Sequence, residues 1–141
     1  MNPTIQTATH HQLPDIIELL ELFNLDAEEL DAEEFVVAHL DGEIIGLGRV
    51  RDNEDALELC SIGVVETHRN KGIGSAIIQS LIALYPQQSL YIVTEIPVFF
   101  KRFNFNETET YSESIADKIT RCKDSYNCEK PVAMVIGERI G

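Results

Sequence analysis

The sequence predicts a mixed α/β (α+β) fold, in which a mostly antiparallel sheet with one central parallel pair is flanked by helices. Asp41-Gly42 joins two apolar segments, and this dipeptide favours a tight hairpin between antiparallel strands. Farther on, a helical apolar period separates two strand-like segments, Leu57 to Val65 and Leu90 to Thr94. A helix in this position favours parallel strands joined by a right-handed crossover. A length of 141 residues suits one domain, so we predict a single domain over residues 1–141.

The N-terminal quarter predicts one strand and one helix. Thr4 to Thr9 alternates and is rich in β-branched residues, which favours a short strand. Leu13 to Phe23 has apolar residues at helical spacing, with Pro14 in the first turn. Asn24 to Glu34 is acidic, and we expect a solvated face in which Asp26 caps a second short helix.

The middle of the chain predicts three consecutive antiparallel strands. Phe35 to Leu40 and Glu43 to Arg51 form the hairpin, and Leu57 to Val65 follows the next turn. Gly46 and Gly48 lie inside the second strand, where glycine indicates a bulge or a closely packed neighbour.

The second half predicts three helices around two strands. Apolar spacing indicates helices over Ile73 to Tyr85 and Ser112 to Cys122, and Pro97 starts a short helix that runs to Phe103. Val132 to Ile136 is apolar throughout and predicts the last strand.

The stretch from Arg69 to Gly74 connects the strand at Leu57 to Val65 with the helix that begins at Ile73. A strand-to-helix turn presents unpaired backbone N–H groups and the positive end of a helix dipole, which together favour an anion. Gly72 and Gly74 have no Cβ atom that would hold a phosphate away from the backbone. The spacing matches neither of the common nucleotide-binding glycine motifs, so nucleotide hydrolysis and dinucleotide binding are excluded.

Charge and composition exclude several other classes. With 24 acidic and 11 basic residues the formal net charge is −13, which disfavours nucleic-acid binding. No apolar segment is as long as a membrane span and the N-terminus lacks the pattern of a signal peptide, so we expect a cytoplasmic protein that does not bind membranes. We expect Cys60, Cys122 and Cys128 to be reduced thiols, and their spacing predicts no metal site.

The segment SIGVVETHRNKGIGSAIIQSLI resembles the acetyl-CoA-binding motif of the GNAT superfamily of N-acyltransferases. In that motif an Arg or Gln is followed, three positions on, by Gly and, two positions later, by Gly or Ala; Arg69, Gly72 and Gly74 occupy these places. FFKRFNF, Phe99 to Phe105, looks like the family's later helix-to-strand element, with Asn104 where the family has glycine. Asparagine tolerates the left-handed conformation that glycine would adopt there.

The resemblance implies the GNAT fold, with six to seven strands and a central parallel pair that splays to admit acetyl-CoA. Three features lean toward the amino-acid branch, which is N-acetylglutamate synthase-like. They are ELCSIGV (Glu58 to Val64), the double phenylalanine, and a C-terminal region that has spaced cysteines and ends in AMVI.

The resemblance also implies how acetyl-CoA is bound as co-substrate. Backbone amides of the loop would hold the pyrophosphate, and three residues of the preceding strand would pair with the pantetheine arm. The loop residues are Arg69, Asn70, Lys71, Gly72, Ile73, Gly74 and Ser75, and the strand residues are Ile62, Gly63 and Val64.

An attacking amine must lose a proton, which requires a general base. Glu58 is the first candidate because alternation places it on the same side of its strand as Ile62, and Glu95 is the second. For each, a salt-bridged or solvated carboxylate is the alternative. The family often has a tyrosine as general acid where this chain has Phe100, so that role is vacant or moved. A thiol can leave without full protonation, and Cys60, Tyr91 or water could assist.

Arg49 and Arg51 share one face of their strand. If this face lines the acceptor cleft, Arg49 could hold a substrate carboxylate in a bidentate fork, with Arg51 as a second candidate. The alternative is a cross-strand ion pair between Arg49 and a carboxylate such as Glu58.

These observations predict an acetyl-CoA-dependent N-acetyltransferase whose acceptor is a small amine or amino acid, and which forms a homodimer. A non-catalytic acyl-CoA-binding module is one alternative, favoured by Phe100 at the position of the usual acid. A protein or peptide N-acetyltransferase is another.

Overall fold

The structure is a computed structural model that describes residues 2–137. The helices are α1 (Leu13–Leu22), α2 (Ile73–Ala83), α3 (Pro97–Lys101) and α4 (Glu113–Ser125), and the strands are β1 (Thr4–Thr7), β2 (Phe35–Leu40), β3 (Glu43–Asp52), β4 (Leu57–Val64), β5 (Leu90–Thr94), β6 (Asn106–Glu107) and β7 (Val132–Ile136).

The strands form a mixed seven-stranded sheet in the order β1-β2-β3-β4-β5-β7-β6. β4 and β5 are parallel, whereas β1 with β2, β2 with β3, β5 with β7 and β6 with β7 are antiparallel. The predicted fold class is therefore confirmed. The parallel ladder joins Leu57 to Leu90 and Glu58 to Tyr91. Such a short ladder agrees with the predicted splay, which stays a prediction.

Within the described residues the chain divides into two compact units, and the predicted single domain stays a prediction. The first unit comprises the residues up to Val50 together with Ser61–Leu84. The second comprises Arg51–Cys60 together with the residues from Tyr85 onward.

The first unit is built on the hairpin of β2 and β3. Asp41 and Gly42 both have left-handed backbone conformations, with φ of 51° and 83°, which a tight two-residue hairpin turn requires. The core beside this hairpin is apolar; it includes Ala8, Ile16, Leu19, Leu20, Phe35, Val37 and Leu47.

Both glycines of β3 lie close to α2, and Gly46 also lies beside an irregularity in the strand pairing. The register of β2 against β3 shifts between Ala38 and His39, so an irregularity lies next to Gly46. At Gly48, an added Cβ atom would lie 2.8 Å from Ile77 Cγ2 and 2.9 Å from Leu81 Cδ1. α2 thus packs directly on the strand at Gly48 and lies close at Gly46, where an added Cβ atom would be 3.1 Å from Ile77 Cδ1.

The second unit contains β5, β6 and β7 with α3 and α4. Phe99, Phe100, Phe103 and Phe105 pack their rings together, with centroids of Phe99 and Phe100 5.0 Å apart. Asn104, which lies between Phe103 and Phe105 in the sequence, has a φ of 73°. The left-handed conformation predicted for this asparagine is confirmed.

The prediction of a helix capped by Asp26 is wrong. Asp26 Oδ1 accepts a hydrogen bond from the Glu28 backbone N–H at 2.9 Å, and Glu29 has a φ of 50°. A left-handed residue interrupts a right-handed helix, so the acidic stretch forms turns instead. A short 3₁₀ helix follows at Ala32–Glu34, and its cap is Asp31, whose side chain accepts from the Glu33 N–H.

The prediction that all three cysteines are reduced is also wrong, because Cys122 and Cys128 form a disulfide. After α4 the chain turns back, and the Cys128 N–H donates to the Cys122 carbonyl at 3.0 Å. This turn brings the two Cα atoms to 5.3 Å, within the range that a disulfide spans. Cys60 is half-buried and is not part of this disulfide.

No helix in residues 2–137 is long and apolar enough to cross a membrane. In the same residues, no group of three or more His, Cys, Asp or Glu side chains could hold a metal ion.

Candidate functional site

The loop between β4 and α2 has the backbone shape of a strand-to-helix turn. Asn70 and Gly72 have φ of 64° and 79°, and Gly72 is the residue that caps α2. An added Cβ atom at Gly72 would meet nothing within 4 Å, so the loop is open on that side. The start of α2 therefore presents N–H groups beside free space, as an anion site requires.

Arg69 fixes this loop against the end of β4, because its Nε donates to the Val64 carbonyl at 2.8 Å. The side chains of Arg69 and Lys71 are exposed. In residues 2–50 and 61–84, the single other lysine or arginine is Arg49, which is buried. The accessible lysine and arginine charge of this unit is thus confined to the loop.

A groove of about 450 Å³ runs from the loop along β4. Its lining residues are Leu22, Phe23, Leu25, Ile62, Gly63, Val64 and Arg69. The structure therefore brings together two sets of residues predicted to bind acetyl-CoA, the strand residues and the first residue of the loop. Phe23 was not predicted; its ring covers Gly63, where an added Cβ atom would lie 2.6 Å from Phe23 Cδ2.

Ser61 has a φ of 54° although it lies inside β4. A non-glycine residue in the left-handed region costs on the order of 1–3 kcal/mol and is uncommon within a strand. The distortion stands directly before the groove-lining residues. Sequence reasoning missed it because serine has no marked preference for this conformation.

Glu58, the first candidate base, is buried in β4 with 2% of its surface exposed. Its Oε2 atom lies 2.9 Å from Lys118 Nζ, and its Oε1 atom accepts from Asn53 Nδ2 at 3.0 Å. The partner of Glu58 is thus Lys118, and the suggested pair with Arg49 is wrong. Lys118 is 60 residues away in sequence, and no local pattern pointed to it.

Arg49 is likewise 2% exposed. Its Nη2 atom donates to Glu34 Oε1 and to the Glu29 carbonyl, each at 2.6 Å, and its guanidinium lies 5.4 Å from the Phe35 ring centroid. These contacts fix the acidic stretch after α1. The predicted binding of a substrate carboxylate by Arg49 stays a prediction, and so does that by Arg51, which is half-buried two residues on.

Glu95, the second candidate base, is exposed just after β5, and its Oε1 atom accepts from the Glu129 backbone N–H at 2.9 Å. Phe100 is 6% exposed and packs edge-on against Phe105. The ring at the position of the family's usual acid is therefore part of an apolar cluster.

Comparison with known proteins identifies the family. The model of the acetyltransferase (GNAT) family matches residues 5–105, which include the loop, the groove residues and the double phenylalanine. The chain belongs to the GNAT family.

One relative is an uncharacterized N-acetyltransferase, CT2212, from Chlorobaculum tepidum. It is 33% identical to this GNAT chain over an alignment of 104 residues, and the match covers 71% of this chain. The match spans 64% of the length of that relative.

Solved structures share the fold. Rv2747 from Mycobacterium tuberculosis, in complex with CoA and NLQ, has a TM-score of 0.72 at 22% identity, and the match covers 96% of this chain and 99% of that one. N-acetylglutamate synthase from Neisseria gonorrhoeae, complexed with coenzyme A and N-acetyl-glutamate, has a TM-score of 0.66 at 18% identity; the match covers all of this chain (100%) and 36% of that one. At these identities the likeness establishes the GNAT fold, while the branch within the family is a matter for proposal.

Proposed function

We propose that this protein is an acetyl-CoA-dependent N-acetyltransferase that moves the acetyl group to the primary amine of a small molecule or amino acid by direct attack in a ternary complex. The observation that supports it most is the groove beside the cationic, glycine-bearing loop. Membership of the GNAT family supports the same reaction.

The residues fit coenzyme A in charge and shape. Arg69 and Lys71 supply positive charge where the pyrophosphate would lie, and the space beside Gly72 leaves room for it. Leu22, at the end of α1, and Phe23 and Leu25, just after it, line the groove together with Ile62 to Val64, where the pantetheine arm would lie. When bound, the coenzyme supplies an acyl thioester.

The residues of the chain then position the amine and accept its proton. Holding two reactants in attack geometry is worth roughly 7–11 kcal/mol, so positioning is the larger task. We assign Glu58 as the general base, in preference to Glu95, because its carboxylate is buried and held by two side chains. The general acid is not Phe100, whose ring has no proton to donate.

We further propose an amino-acid acceptor. Two structures with the same fold are described with N-acetyl-glutamate or with NLQ beside CoA, and this supports the amino-acid branch. A non-catalytic acyl-CoA-binding module is the second candidate, and the buried Phe100 ring favours it.

The first experiment measures binding. Calorimetric titration with CoA should give a measurable Kd for the wild-type chain. Gly74→Leu should raise this Kd by about tenfold or more, because a side chain then projects from the first turn of α2. Gln79→Leu, an exposed change on the same helix, is the matched control. Absence of binding at millimolar CoA would contradict the proposal.

The second experiment measures catalysis as thiol release from acetyl-CoA with a panel of amino acids, polyamines and peptides. Glu58→Gln should lower kcat by about 10²–10⁴-fold if Glu58 is the base, while Glu95→Gln should leave it nearly unchanged. CoA binding without thiol release on the whole panel would favour the non-catalytic module.

A further inference from the structure

Glu58 is a buried carboxylate with one partner on each oxygen. Lys118 Nζ lies 2.9 Å from Oε2, and Asn53 Nδ2 donates to Oε1 at 3.0 Å. A buried carboxylate without partners is strongly unfavourable, so these two side chains stabilise Glu58 in its place in β4. Each carboxylate oxygen has two lone pairs and uses one of them with its partner. The second lone pair of either oxygen can therefore accept the proton of the reaction.

The two partners come from different elements that are joined to each other. Asn53 belongs to the turn before β4, which is closed by its own N–H donating to the Ala56 carbonyl at 3.0 Å. Two residues on, Asp55 binds the start of α4, where its Oδ2 accepts from the Ser114 N–H at 3.0 Å and its Oδ1 from the Ser114 hydroxyl. Lys118 follows Ser114 by four residues, about one helical turn. The anchoring of α4 by this turn therefore sets the place from which Lys118 reaches Glu58.

We propose that Lys118, together with Asn53, is a positioning residue for Glu58 in acetyl transfer. This inference rests on the proposed function and on Glu58 as its base. In that reaction the amine loses a proton to the Glu58 carboxylate, a C–N bond forms, the C–S bond breaks, and the coenzyme leaves as a thiolate. In this role Lys118 and Asn53 contact neither the amine nor the coenzyme; they hold the accepting carboxylate in one orientation.

The alternative is that the Lys118–Glu58 ion pair only stabilises the fold. The two roles differ in how the effect of removing Lys118 depends on Glu58. If Lys118 acts through Glu58, its removal has no further effect on kcat once Glu58 no longer accepts a proton. If it acts through the fold, removal lowers kcat by the same factor in both backgrounds.

The experiment is a double-mutant cycle on kcat, measured by thiol release from acetyl-CoA with the acceptor that turns over fastest in the panel. Lys118→Met should lower kcat by about tenfold to a hundredfold at unchanged KM for acetyl-CoA, and Lys118→Arg should restore most of it. In the Glu58→Gln background, Lys118→Met should change kcat less than about twofold. Lys123→Met, an exposed lysine on the same helix, is the control and should leave kcat unchanged.

Any other outcome contradicts the positioning role of Lys118, the assignment of Glu58 as the base, or the proposed function. Equal kcat for Lys118→Met and Lys123→Met, or an equal loss in both backgrounds, overturns the positioning role. Wild-type kcat for Glu58→Gln overturns the base itself, and no turnover with any acceptor overturns the proposed function. If Lys118→Met does not fold, Lys118→Gln takes its place in the cycle, because it keeps a donor toward Glu58.

Discussion

Arg49 shows what a buried cation does for the acidic stretch that follows α1. It makes four hydrogen bonds, two to the Glu34 carboxylate and two to the carbonyls of Glu28 and Glu29. A segment this rich in acids would repel itself, and the enclosed guanidinium offsets one of its charges and donates to two of its carbonyls. Arg49 therefore stabilises the conformation of the stretch.

Arg49→Met should lower the free energy of unfolding by about 3 kcal/mol, because it leaves the carboxylate and the two carbonyls without their donor. Urea denaturation measures the change. Glu34→Gln should cost less, since its side chain is 20% exposed and the carbonyl contacts remain. Lys71→Met, at an exposed site, should stay within about 0.5 kcal/mol of wild type, and an equally small effect for Arg49→Met would contradict the assignment.

Asp55 makes stability depend on pH. Its hydrogen bond with the Ser114 hydroxyl, and next its bond with the Ser114 N–H, hold the pKa of this carboxyl below its ordinary value of 3.8. A carboxyl whose pKa is lowered by folding stabilises the protein above the unfolded-state pKa, and the stabilisation is lost as the pH falls through the folded-state value.

The stability difference between wild type and Asp55→Asn should therefore be greatest above about pH 5 and should shrink as the pH falls below the ordinary carboxyl range. Urea denaturation from about pH 7 down to about pH 3 measures it. Ser114→Ala removes the larger cause and should reduce the same pH dependence. A difference that is constant over this range would show that the Ser114 contacts do not favour the ionised form.

At the scale of elements, two glycines of the same unit differ in how closely their neighbours approach. Gly48 is covered by α2, whereas an added Cβ atom at Gly74 would lie 3.8 Å from Val64 Cγ2, an ordinary contact. Gly74 also lies in the first turn of α2, where alanine is the better helix former.

Gly48→Ala should destabilise the fold by about 1–3 kcal/mol, because the new methyl group overlaps Ile77 and Leu81. Gly74→Ala should leave the free energy of unfolding unchanged or slightly higher. Thermal and urea denaturation of the two variants, side by side, test this. Should Gly48→Ala be as stable as wild type, α2 does not pack on β3 as described.

The elements were predictable because their signals are local. The hairpin at Asp41-Gly42, the helix from Ile73 and the left-handed Asn104 each follow from a few neighbouring residues. The two-residue β6 is too short to leave a periodic pattern.

The pairings were not predictable, because they join residues that are distant in sequence. Glu34 with Arg49, Glu58 with Lys118, and Ser114 with Asp55 depend on how the elements pack. For the candidate site this means that its loop and strand could be named from sequence, whereas the environment of the proposed base could not.

At the scale of the whole molecule, the net charge of −13 opposes the binding of an anion such as CoA. Over distances beyond about 8 Å this repulsion is screened at physiological ionic strength, so the charges next to the ligand decide the affinity. Lys71 is one of those charges if the loop holds the pyrophosphate. Lys130 is an exposed lysine of the other unit and is not part of the loop.

Lys71→Glu and Lys130→Glu change the net charge equally, each from −13 to −15, because a positive charge becomes a negative one. If the local field of the loop governs binding, Lys71→Glu should raise the Kd for CoA about tenfold, and Lys130→Glu should raise it less than about twofold. Calorimetric titration at low and at physiological salt measures both. Equal weakening by the two variants would assign the effect to net charge and would remove Lys71 from the proposed anion site.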